Sequence, residues 1–310
     1  MGLREVGFYL RGRVNNGVAR LLNARRAAPV VPLSLEDLLR QPRLSLLDRV
    51  RLFEGRDNAE RQAMVARYLA ARDLPFARHL YATFEGSGES FAVEVGAGEA
   101  TLILIGHHDA VPGSPGANDN ASAVAILMVL AERLLQDPPR RIRARLLFTG
   151  GEEVGYLGAR CYVKTAALDG VVGVLSLELC GIGDALVVWD VAEPFDQAPL
   201  VQAFAGTLEG LGYRRDESYH LVGRIPVFGS DHRAFWEKGI PAFGLTVVPR
   251  AEAEPLRQFV LNPWRGAFRQ LVRRPPPFHT YHTAGDRSET LQPGALELTT
   301  EALFALVHSL

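Results

Sequence analysis

The chain has 310 residues, 47% of them hydrophobic, enough length and apolar content to bury a sizeable core. A formal net charge of −1 gives no global field for nucleic acid, and no apolar run reaches the roughly 18 residues of a membrane-spanning helix. Two cysteines, Cys161 and Cys180, are too few for a disulfide framework and fit a reducing, cytoplasmic setting.

Residues 1–26 carry six arginines dispersed among Leu, Val, Phe and Tyr, without the continuous apolar stretch of a secretory signal. Two readings of this basic arm, taken as residues 1–33, stand side by side. One is an amphipathic helix that meets a membrane surface or a partner; the other is an arm packed on its own domain or frayed. Ser34 caps a short helical pattern over 34–39, and 58–72 is an amphipathic helix ended by Asp73-Leu74-Pro75. Segments 76–84 and 89–95 flank Gly86-Ser87-Gly88 as a hairpin. The apolar run 101–106 is a buried strand that opens into His107-His108-Asp109.

A strongly apolar helix over 121–135 follows, then a strand over 143–149 ending at Gly150-Gly151-Glu152-Glu153. Helical spacing recurs at 155–164, 199–211, 231–238 and 256–272, the last rich in arginine, and a capped amphipathic helix over 293–309 closes the chain. Segments 171–179 and 241–248 are buried strands, with 185–191 pairing beside the first. Strands alternating with helices predict an α/β fold. It is a single three-layer domain over 34–310, a mostly parallel mixed central sheet with helices on both faces and an antiparallel hairpin at one edge.

Polar groups stand at four segment ends: His107 with Asp109, Glu152-Glu153, Glu178, and His282. Asp119 lies on the loop after the first of them. Several carboxylates converging on one crevice repel unless a cation neutralises them. Two divalent ions bridged by a shared carboxylate would do so, an arrangement suited to hydrolysis. Glu152 and Glu153 would face opposite ways in a regular strand, and Gly150-Gly151 frees the backbone for both to reach one cavity.

The motifs His107-x-Asp109, Asn118-Asp119-Asn120-Ala121-Ser122, Gly151-Glu152-Glu153, Gly229-Ser230-Asp231-His232 and Tyr281-His282-Thr283 follow in that order. By them the chain resembles the zinc-dependent aminopeptidase family that also includes glutaminyl cyclases and glutamate carboxypeptidase. The resemblance implies a zinc-exopeptidase-like domain. In it Asp119 bridges two metals, His107 and Glu178 complete one site, and Glu153 and His282 complete the other. It implies that Glu152 is the general base acting on water and that Tyr281 donates to the developing oxyanion. It further implies that Asp109 orients His107, that Asp286 orients His282, and that the Asp119–Asn120 peptide is cis. The implied cofactor is zinc, one or two ions per chain, with cobalt or manganese as alternates. The family's aminopeptidases generally carry Asp where this chain has Glu178, which leaves the ion count open.

Singly, each residue has an ordinary reading. His107 is then a satisfied core histidine, Asp119 a turn residue, Glu152-Glu153 an acidic helix start, and Ser230 or Asp231 a helix cap. His108 falls on the opposite pleat from His107 and reads as structural. The arginines at 250, 257, 265, 269, 273 and 274 read as a solvated helix face or as a lid on the cleft. Carboxypeptidase-like relatives need a domain-sized insertion between Glu178 and His282 that this chain lacks. The implied activity is therefore exopeptidase, of aminopeptidase type: a metal-activated water cleaves the N-terminal bond of a peptide or aminoacyl substrate whose free amine is held by Glu152 and Glu178. Two alternatives stay open, a mononuclear zinc acyl transfer of the glutaminyl-cyclase kind and a catalytically idle, peptidase-like binding protein.

Overall fold

The computed structural model describes residues 3–23, 30–226, 228–261 and 274–310, the side chains of 3–5 and 259–261 excepted. Ten helices are described. They are α1 (Leu3–Asn23), α2 (Leu35–Arg40), α3 (Leu46–Arg51), α4 (Asn58–Ala71), α5 (Ser122–Gln136), α6 (Leu157–Thr165), α7 (Pro199–Gly210), α8 (His232–Trp236), α9 (Ala253–Leu261) and α10 (Pro293–Ser309). The strands are β1 (Ala77–Thr83), β2 (Gly86–Val95), β3 (Ala100–His107), β4 (Ile142–Thr149), β5 (Val171–Leu177), β6 (Ala185–Trp189), β7 (Tyr219–Leu221) and β8 (Ala242–Val248).

The eight strands form one sheet in the order β1-β2-β4-β3-β5-β8-β6-β7. Its centre, β4-β3-β5-β8, is parallel, as buried runs rich in Leu, Ile and Val predict. The β1–β2 hairpin pairs antiparallel at one edge, as its glycine-rich turn predicts. The other edge differs from expectation. Strand β6 pairs antiparallel with β8, not with β5, and β7 adds parallel to β6. The segment Pro241 onward inserts its fully buried strand next to β5, which leaves β6 the outer position. The short strand β7 and helix α3 carry too few residues for a periodic signal.

Alternation along the strands divides the core. Leu102 and Leu104 of β3 face α4, α5 and α10 on one side, while Ile103 and Ile105 face α6 and α8 on the other. Helix α5 is buried almost all round, as its sequence predicts. Helix α1 lies on the turn after β4, with Gly12 so close to Val154 that a Cβ there would approach it to 2.9 Å. Of the expected helix over 256–272, α9 begins three residues early, and residues 262–272 with Arg265 and Arg269 lie outside the described residues, as do Arg25, Arg26 and Arg273.

Candidate metal centre

The carboxyl ends of three adjacent parallel strands deliver most of the polar groups, where ligand crevices form in α/β sheets. His107 closes β3, Glu152 and Glu153 occupy the turn after β4, and Glu178 follows β5. Asp119 sits on the irregular turn that precedes α5, and the Asp119–Asn120 peptide is cis. His282 lies in the turn leading to α10 with φ of 61°, a left-handed conformation of the kind that gathers at functional sites.

These residues form two groups, His107–Asp119–Glu178 and Asp119–Glu153–His282, each with its ligating atoms within 4.8 Å of one another. Asp119 divides its oxygens between them. Its Oδ1 is 3.3 Å from His107 Nε2, and its Oδ2 is 3.2 Å from His282 Nε2. His107 Nε2 lies 3.4 Å from Glu178 Oε2, and His282 Nε2 lies 3.1 Å from Glu153 Oε2. Ligands at zinc bond lengths around a tetrahedral ion sit roughly 3.3 Å apart, so the spacing fits divalent cations. Both Nε2 atoms and Glu153 Oε1 are buried without a hydrogen-bond partner, which is the state of donors arranged for a cation.

The electrostatics agree. Burial acts to lower His107, but Glu178, Asp109 and Asp119 outweigh it and raise its pKa well above the usual value. Burial likewise opposes His282, and Glu153 and Asp119 raise it to about 10. Burial raises Glu152 well above an ordinary glutamate, and Glu153, Glu178 and Asp231 add to the effect against the pull of His107. The pocket is short of positive charge.

Supporting contacts hold the donors in place. His107 Nδ1 is 3.0 Å from the Asp109 carbonyl and 3.5 Å from its carboxylate. That same carboxylate accepts the backbone N–H groups of Glu152 and Glu153, each at 3.1 Å. Asp109 thus ties the β3 end to the β4 turn. Gly151, with φ of 71°, makes that turn, in keeping with the backbone freedom expected of it. Asp286 departs from the expected role. Its carboxylate accepts the N–H groups of Asn118 and Asp119 at 2.7 and 3.0 Å, so it positions the Asp119 loop and not the His282 ring. Two adjacent backbone amides, buried and otherwise without an acceptor among the described residues, take up both oxygens of the carboxylate.

Ser230 and Asp231 also depart from expectation. Asp231 stands at the N-cap of α8, but neither side chain makes a capping bond; Ser230 donates to Glu178 Oε1, and Asp231 accepts from Thr149. A five-residue helix offers little to cap, whereas the buried carboxylates need donors. Asn120 Nδ2 donates to Glu178 Oε2 at 3.1 Å, so the longer Glu178 side chain is steered into the cluster. Tyr281 stacks on the His282 ring at 3.7 Å, and burial with Asp119, Glu153 and Glu152 raises its phenol well above 10. His108 is buried away from the cluster, its Nε2 3.1 Å from the Glu89 carbonyl, and burial lowers it to about 4.

Sequence reasoning missed Arg61. This fully buried side chain from α4 donates to the carbonyls of His108 (2.5 Å), Phe53 (3.2 Å), Pro115 (3.2 Å) and Gly116 (3.0 Å), clamping the loops that carry His107 and Asp119. Its place on the buried stripe of α4 with Val65 and Tyr68 was the available signal. Next to the centre opens a cleft whose walls include Trp189, Val222, Ile225, Phe228, Leu256 and Phe278, with Glu152, Glu178 and Tyr281 exposed to it.

The chain covers only a minor part of the length of the curated relatives it matches. The chain is 38% identical over 76 residues to a probable lipoprotein aminopeptidase, LpqL, of Mycobacterium tuberculosis, a match spanning 24% of this chain and 15% of that protein. Its fold is similar to that of BSAP, a zinc aminopeptidase from Bacillus subtilis (TM-score 0.55, 22% identity, 74% of this chain and 51% of that one). It is also similar in fold to an Acidobacteriales bacterium glutaminyl cyclase (TM-score 0.60, 17% identity, 96% of this chain and 93% of that one). The description "Peptidase family M28" matches residues 91–307, a stretch that runs from β2 to the last turns of α10 and contains all five ordered motifs. On that span, the chain belongs to peptidase family M28.

Proposed function

We propose that the protein is a metal-dependent aminopeptidase that prefers a large apolar residue at the substrate N-terminus. The observation that carries this reading is Asp119, whose two oxygens each face a separate His–Glu pair. His107, Asp119 and Glu178 would hold one ion and Asp119, Glu153 and His282 a second, with zinc the ion that the donor set suits best. Such ions lower the pKa of a coordinated water towards about 7 and polarise a carbonyl.

The chain's own residues supply the rest. Glu152, which lines the cleft beside the two groups, takes the proton of the attacking water and returns it to the leaving amine. Tyr281 keeps its phenolic proton and donates it in a hydrogen bond to the oxyanion. Glu152 and Glu178 face the cleft and hold the substrate's free ammonium, while Trp189, Val222 and Phe228 receive the side chain beside it. Cys161 and Cys180 form no disulfide among the described residues, in keeping with a cytoplasmic protein. Among the described residues no helix is long and apolar enough to cross a membrane.

The test is a panel of aminoacyl-nitroanilides and short peptides assayed after chelation and again after zinc, cobalt or manganese is restored. Loss and recovery of cleavage, fastest for leucyl and phenylalanyl substrates, is the expected result. Cyclisation of an N-terminal Gln peptide without hydrolysis would replace the proposal with acyl transfer. Inertness towards every substrate would leave a binding protein.

A further inference from the structure

Helix α1 has two faces, and only one of them touches the domain. On the inner face Phe8 meets the Tyr156 ring edge-on at 5.8 Å, Gly12 abuts Val154, and Ala19 is buried. At its end Asn23 donates to the carbonyls of Pro112 (3.3 Å) and His282 (3.2 Å) and accepts the Ala284 N–H (3.0 Å). The outer face is apolar yet exposed: Leu10 is 57% exposed, Val14 63%, Val18 48% and Leu21 80%. Their spacing of four, four and three residues makes one stripe. At about 100° per residue, exposed Arg13 and Arg20 fall on one border of that stripe, and exposed Arg11 falls on the other, where it also lines the opening beside Glu152 and Glu153. No Asp or Glu occurs from Val6 to Asn23.

We infer that α1 is an in-plane anchor that lays its Leu10–Val14–Val18–Leu21 stripe into an anionic lipid surface. Aliphatic side chains at the level of the acyl chains with arginines at their margins are the arrangement that such a surface accepts. A second copy suits the stripe poorly. Two such faces laid together would set arginine against arginine, with no carboxylate on this part of the helix to pair them. The inner face explains what the anchoring would serve. Phe8, Gly12 and Asn15 form one wall of the opening in which Glu152, Glu153 and His282 are exposed, so a surface held by α1 lies beside that opening. This inference does not depend on the peptidase reading.

Co-sedimentation of the full chain with vesicles of phosphatidylcholine containing phosphatidylglycerol, and with phosphatidylcholine alone, tests it. The chain is expected to pellet with the anionic vesicles, to do so less as salt is raised, and to bind the neutral ones far more weakly. Val14→Glu with Leu21→Glu should weaken binding roughly tenfold or more at an unchanged thermal midpoint. If that pair fails to fold, Arg13→Glu with Arg20→Glu should abolish the preference for anionic lipid. A wild-type chain that stays in solution, or equal binding by wild type and folded variants, overturns the inference. A dimer by light scattering that the Val14/Leu21 variant dissociates, without lipid binding, overturns it in favour of self-association.

Discussion

At the scale of single residues, the proposed chemistry rests on the division of labour between Glu152 and Glu153. Adjacent in sequence, they part because Gly151 turns the chain and Asp109 holds both backbone amides. Glu153 points at His282, while Glu152 faces the apolar cleft. Glu152→Gln is therefore expected to retain its metal by elemental analysis while kcat falls by roughly a hundredfold or more. Unchanged turnover would remove Glu152 from the role of base. Of the candidate donors, His107, Asp119, Glu153 and His282 were legible from motifs whose order and gaps the family shares, and Glu178 from its place at the end of a buried apolar strand. The roles of Asp286, Ser230 and Asp231 were not, since each depends on which unpaired group lies opposite in space. Asp286 meets amides some 168 positions away, which no local pattern encodes.

At the scale of elements, the loops that carry the candidate donors are held by side chains outside the two groups. Arg61 brings a buried guanidinium from α4 to four carbonyls around the β3 end and the Asp119 loop. Arg61→Met leaves those carbonyls unpaired and should cost about 3–5 kcal/mol, read as a lower denaturant midpoint. Helix α8 is fastened in a similar way. Buried Asp190 accepts from the Ile225 N–H at 2.8 Å, His232 Nε2 at 3.0 Å and Arg233 Nε at 2.8 Å. Burial would raise its carboxyl, but the bonds from His232 and Arg233 prevail and lower it to about 2. The sign follows from that depression: the stabilisation is complete above the ordinary aspartate value near 4 and is lost as pH falls through about 2. Asp190→Asn should lower stability at neutral pH by about 2–4 kcal/mol and flatten the decline below pH 4, followed by thermal unfolding. Most elements were legible from periodicity, but strand neighbours were not: whether β6 or β8 lies next to β5 depends on burial of whole faces.

At the scale of the whole molecule, cation binding at the two groups would be coupled to folding, because the candidate donors come from β3, two turns, the β5 end and the segment before α10. A ligand that binds only the native state stabilises it by about 2.7 kcal/mol at a hundredfold excess over Kd. Chelation is accordingly expected to lower the thermal midpoint, and restored zinc to raise it in a concentration-dependent manner. No shift on chelation would mean that the two groups hold no tightly bound ion.

The spread of those donors along the chain sets an order of assembly. The residues of the first group have all been added by residue 178, but Glu178 waits for Ser230 and the Asp119 amide for Asp286, and the second group waits for His282. In refolding, a cobalt absorption band from the finished pair should therefore rise after the far-ultraviolet signal of the sheet, since closing so long a loop comes late. Occupancy of the second position thus reports that the C-terminal tenth of the chain has reached its place.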